Sequence, residues 1–110
     1  MKSMLIALAL FAGQATTMQE KPIVHLKPNT SAIEPAFGGS LLVLSNAPAV
    51  VHLPSSPPGA EANGAPWMVD VRNFGPTSVT IVDKQTFSAV VAVNQIVHIL
   101  SNGRTYSLKH

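Results

Sequence analysis

From Trp67 to Leu108 apolar and polar residues alternate in short runs, and each run ends in residues that favour turns. A period of two marks a β-strand with one buried face, because successive side chains of a strand point to opposite sides. Trp67, Val69 and Val71 alternate with Met68, Asp70 and Arg72. Turn clusters follow at 73–76, 83–85, 94–96 and Asn102-Gly103. If the chain folds back at each one, Val71 meets Val79, Ile81 meets Phe87, Val93 meets Val97 and Ile99 meets Tyr106. All these registers place one set on one side: Trp67, Val69, Val71, Val79, Ile81, Phe87, Ala89, Val91, Val93, Val97, Ile99, Tyr106 and Leu108. A slip of one residue in any hairpin would break that face. Asn102-Gly103 is the sharpest local signal, since a two-residue type I′ hairpin needs positive φ at both positions. The expected unit is an antiparallel five-stranded meander over about 67–108.

Such a sheet needs a cover for its apolar side. Leu41–Leu44 and Ala49–Leu53, on either side of Ser45-Asn46-Ala47-Pro48, read as a hairpin over about 41–53 that supplies it. The fold class expected is therefore all-β, sandwich-like or a partly open barrel, occupying 40–110. Its 54–66 loop is rich in Pro and Gly, offers little to pack, and should follow an extended, solvated path. Upstream, Pro22, Pro28 and Pro35 recur and Gly38-Gly39 closes the stretch, so 16–39 reads as an extended, poorly structured lead-in. Within it Ile23–Leu26 is β-prone enough for one edge strand. The outer side of the meander is polar in the middle, with Val90, Ala92, Ile96 and Leu100 forming a modest apolar patch. The lead-in or the 54–66 loop covers this patch in one reading; in the other it is a contact surface for another chain.

The first 15 residues have the make-up of a secretory signal peptide. Lys2 gives a positive start, Met4 to Ala12 is an uncharged apolar run, and small residues at Gly13 and Ala15 favour cleavage before Thr16. The run lacks the polar face of an amphipathic helix, and it falls short of the ~20 apolar residues that span a bilayer. No later segment reaches that length. The expectation is an exported chain, periplasmic or extracellular, with no membrane span after cleavage.

An exported domain this small commonly relies on disulfides, yet the chain has no cysteine. Stability must come from the apolar core or from a partner. The same absence excludes thiolate metal sites, thiol nucleophiles and blue-copper ligation. Charge is sparse: seven basic and five acidic residues, 11% of the chain in all. Lys21, Lys27, Arg72, Lys84, Arg104 and Lys109 are scattered rather than clustered, which argues against nucleic acid as a partner.

The residue types present bear on three chemistries. In the meander, Asp70 and His98 share a face but lie four residues, about 13 Å, along and three strands, about 14 Å, apart. That is far beyond hydrogen-bond reach, and no Gly-x-Ser-x-Gly elbow exists to support a hydrolase. Asp70, Thr80 and Ser88 fall in one cross-strand row with Arg72 nearby, which reads as a solvated polar row with a same-strand ion pair. His25, His52 and His98 are weak candidate metal ligands, because no His-x-His or His-x3-His spacing links them. Trp67 and Tyr106 read as core side chains, with the tyrosine hydroxyl at the rim. No catalytic or cofactor-binding residue is assigned, and no cofactor is expected. The expected function is that of a small exported, non-enzymatic β module acting by surface contact, as an envelope, accessory or structural protein, through another protein chain or self-association. The alternative is a small-ligand or metal-binding β domain using the gap under the 41–53 hairpin with 54–66 as a lid; a hydrolase comes last.

Overall fold

The computed structural model describes residues 21–109. The expected signal peptide, 1–15, and the beginning of the lead-in lie outside the described residues. Eight strands follow in chain order: β1 (Ile23–His25), β2 (Leu41–Leu44), β3 (Val50–His52), β4 (Trp67–Asn73), β5 (Val79–Val82), β6 (Ser88–Val91), β7 (Ile96–Ser101) and β8 (Tyr106–Leu108). The chain is all-β, its strands form two sheets, and these do not close into a barrel. Among the described residues no helix is long and apolar enough to cross a membrane.

The strand order is not a meander. One sheet runs β1-β2-β4-β7-β8 and the other β3-β5-β6. β4 pairs antiparallel with β7, from Trp67 opposite Ser101 to Arg72 opposite Ile96, and in parallel with β2. The 73–76 turn therefore carries the chain to the other sheet instead of folding it onto its neighbour. Val71 and Val79, expected as a pair, lie in different sheets and are both buried in the shared core. The expected pairing of Val93 with Val97 does not form, because β6 and β7 belong to different sheets. Within β5–β6 and β7–β8 the true registers are shifted by two residues, with Ile81 opposite Ala89 and Ile99 opposite Leu108. A shift of two keeps every side chain on its expected face.

Alternation states which side of a strand is apolar, and two packed sheets satisfy that as well as one. The core shows the result. Leu42, Leu44, Val69, Val71 and Ile99 of the larger sheet pack with Val51, Val79, Ile81 and Val91 of the smaller, all but fully buried. Of the expected apolar face only Val93 and Leu108 are exposed, Val93 in the turn after β6 and Leu108 at the end of β8.

The 41–53 hairpin is likewise replaced. β2 and β3 lie in different sheets, and 45–49 bridges them, with Asn46 in the left-handed region at φ 57°. Each pairs in parallel, β2 with β1 and β4, and β3 with β5. The lead-in contributes β1 at the edge, a short 3-10 turn at Pro35–Phe37, and the buried Ile33. Trp67 Nε1 donates to Pro35 O at 2.8 Å, tying that turn to β4. The 54–66 loop is also pinned: Tyr106 Oη donates to Pro54 O (2.7 Å) and Ser101 Oγ to Pro58 O (2.6 Å). Burial, with Asp83 nearby, pushes the Tyr106 phenol up to about 12, so it stays a donor.

Candidate functional site

The outer face of the larger sheet takes the alternate residues of each strand, because its inner face is committed to the core. On β4 these are Met68, Asp70 and Arg72, and on β7 Ile96, His98 and Leu100. The β4–β7 register sets Asp70 directly opposite His98. His98 Nδ1 and Asp70 Oδ1 are 2.6 Å apart, and Lys21 Nζ donates to Asp70 Oδ2 at 2.5 Å. The long separation expected from the meander disappears because β4 and β7 are neighbours. Lys21, just ahead of β1, reaches in over the sheet and completes a Lys–Asp–His chain.

The carboxylate lies at the bottom of this cluster, its side chain 8% exposed against 41% for Lys21 and 42% for His98. Burial pushes the Asp70 carboxyl up, but hydrogen bonds from His98 and Lys21 and their charges outweigh it, and the net shift is downward from 3.8. An ionised carboxylate only accepts, so His98 donates from Nδ1, and Nε2 has no hydrogen-bond partner among the described residues. A groove of about 260 Å³ is lined by Lys21, Met68, His98 and Lys109. A smaller one of about 160 Å³ adjoins it, sharing His98 and Lys109. Lys109 is held in place because its N–H donates to His98 O at 2.8 Å. A wider groove of about 550 Å³ opens on the other side of Met68, against Gly38, Gly39 and 61–66. These grooves flank the outer face of the larger sheet, whereas the space under 41–53 is filled by core side chains.

The other expected groupings are not assembled. Thr80 and Ser88 sit on the smaller sheet, so the row with Asp70 does not exist. Arg72 makes no ion pair with Asp70; its guanidinium lies 4.6 Å over the Phe74 ring, and its buried Nε has no partner. His25 on β1 and His98 on β7 are separated by two strands, and His52 is on the other sheet. Among the described residues no three His, Cys, Asp or Glu side chains converge. The expected apolar patch is split between sheets, Val90 and Ala92 on one side and Ile96 and Leu100 on the other.

Lys21 escaped notice because nothing in sequence connects a residue in the lead-in with the middle of β4. Lys109 reads in sequence only as one of the scattered basic residues. No family model matches the chain, and neither a curated protein nor a solved structure shows similarity to it.

Proposed function

We propose that this chain is an exported, non-enzymatic, sandwich-like β module that acts by surface contact, and that the contact pairs the free edge of β6 with β6 of a second copy. Export follows from the leader composition of 1–15. The contact reading rests on one observation: β6 is an edge strand that carries no charged residue and no proline.

β6 has β5 as its neighbour on one side and stands at the outer edge of its sheet. Thr80 N donates to Ala49 O, and Val82 O accepts from Leu53 N, so those two residues face β3. Val79 and Ile81 then face β6 and engage Val91 and Ala89. By alternation, Ser88 and Val90 direct their N–H and C=O groups off the edge. Val90 is 59% exposed. Edge strands are normally blunted by lysine, proline or a bulge. From Gln85 to Val97 the chain has no Asp, Glu, Lys, Arg or Pro. Two such edges can pair antiparallel about a two-fold axis without opposing like charges. The other sheet edges are less open: β3 is bridged by Ala32, β1 is flanked by Lys21 and Lys27, and β8 is flanked by Arg104 and Lys109.

The test is the Val90→Lys substitution. Val90 is exposed, so its replacement should shift folding stability by no more than ~0.5 kcal/mol. Sedimentation velocity across a concentration series should show wild type associating and the variant monomeric, with matching circular dichroism. A wild-type chain that stays monomeric at millimolar concentration, or a variant that associates equally well, overturns the reading.

A further inference from the structure

We propose that the groove over Asp70 and His98 binds a small phosphate, free or as a monoester, held by Lys21, His98 and Lys109. Lys21, His98 and Lys109 line this groove together with the apolar side chain of Met68. Lys21 spends one of its three N–H donors on Asp70 and has two left. The Lys109 main chain is anchored at the end of the β7–β8 ladder, and the residue lines both this groove and the adjoining smaller one. With two ammonium groups against one carboxylate, the cluster keeps a net positive charge even with a neutral imidazole.

The geometry selects phosphate over other anions. A carboxylate presents two oxygens in one plane, whereas a tetrahedral phosphate can accept from three directions at once. Because Asp70 takes the Nδ1 proton, Nε2 of a neutral His98 has a lone pair, which an unprotonated anion cannot satisfy. A phosphate retaining one proton can donate P–OH to that nitrogen, and an imidazolium would donate to a P–O oxygen instead. The Nε2···O hydrogen bond therefore forms in either state. Asp70 does not contact the ligand in this arrangement; it is a positioning residue that sets the ring and its tautomer. The site is remote from β6, which belongs to the other sheet, so binding does not depend on the association proposed above.

The experiment titrates inorganic phosphate into the full chain at constant ionic strength, following the His98 ring protons by NMR. A saturable shift with millimolar affinity is expected, with sulfate binding more weakly. His98→Gln and Lys109→Ala should each weaken phosphate binding about fivefold or more, as the loss of one charge-assisted contact implies. Backbone amide shifts of Lys21 and Lys109 report binding in His98→Gln. Thermal melts matching wild type would show that the variants are folded, and both changes lie on the exposed face. A shift that stays linear to high phosphate, or equal affinity in wild type and both folded variants, overturns the site.

Discussion

At the scale of single residues, Asn73 and Asp70 carry most of the polar organisation of the fold. Asn73 has no exposed surface, and every hydrogen-bonding group of its side chain is used. Nδ2 donates to Thr77 O (2.8 Å) and Val91 O (3.0 Å), and Oδ1 accepts from Gly75 N (2.8 Å). The residue thereby clamps the end of β4 to β6 on the opposite sheet. In sequence it is one of four turn-forming residues, and nothing there marks it as buried. Asn73→Asp would aim carboxylate oxygens at two carbonyls and should cost about 3 kcal/mol or more, read as a lower urea midpoint. A variant as stable as wild type would refute the clamp. Asp70 makes stability depend on pH. Its folded pKa is depressed below 3.8, so the unfolded chain binds its proton more readily, and the stabilisation is present above that value and lost as pH falls through the folded pKa. Asp70→Asn should therefore be less stable than wild type near neutrality, with the gap closing below about pH 4. Urea midpoints from pH 7 to 3 measure this; a constant gap would contradict it.

At the scale of elements, turns determine which strands meet, and similar turn sequences have different outcomes. Asn102-Gly103 joins β7 to β8 as expected, but with a four-residue connection in which Gly103 alone has positive φ, at 88°. Asn102 stays outside that region and uses Oδ1 to accept from Arg104 N and Thr105 N, each at 2.8 Å. A Cβ at Gly103 would meet only ordinary van der Waals contact, 3.8 Å from Gly59 Cα, so backbone strain alone governs substitution there. Gly103→Ala should cost about 1 kcal/mol through that strain, visible as a lower melting temperature with an unchanged β spectrum. An unchanged melting temperature would mean that the loop can shift its φ freely. The 73–76 turn, by contrast, holds as many turn-forming residues and yet sends the chain across the core. Its direction is set by Asn73, whose side chain finds partners in both directions only when β5 and β6 lie opposite.

At the scale of the whole molecule, 89 described residues without a disulfide keep two sheets together through one shared core. Five strands in a single sheet would have left one apolar face to be covered by a short hairpin. Splitting the strands five to three lets each sheet cover the other. Lead-in and loop then close the ends through Trp67 to Pro35 and Tyr106 to Pro54, so segments that look unstructured in sequence become part of the packing. The sequence alone determined that the chain is all-β and which side of nearly every strand is buried, because the period of two is local and survives any pairing that keeps parity. It also determined where the chain turns. Partner choice was left to the tertiary structure, since an apolar strand face can be buried by a second sheet across the core whichever strands lie beside it. Three of the sheet pairings are parallel and join strands remote in sequence, a class of contact that no local turn announces. Lys21 comes to Asp70 through two of those parallel pairings, and His98 comes to Asp70 through the antiparallel β4–β7 pair, so the candidate site was decided by the fold rather than written in any motif.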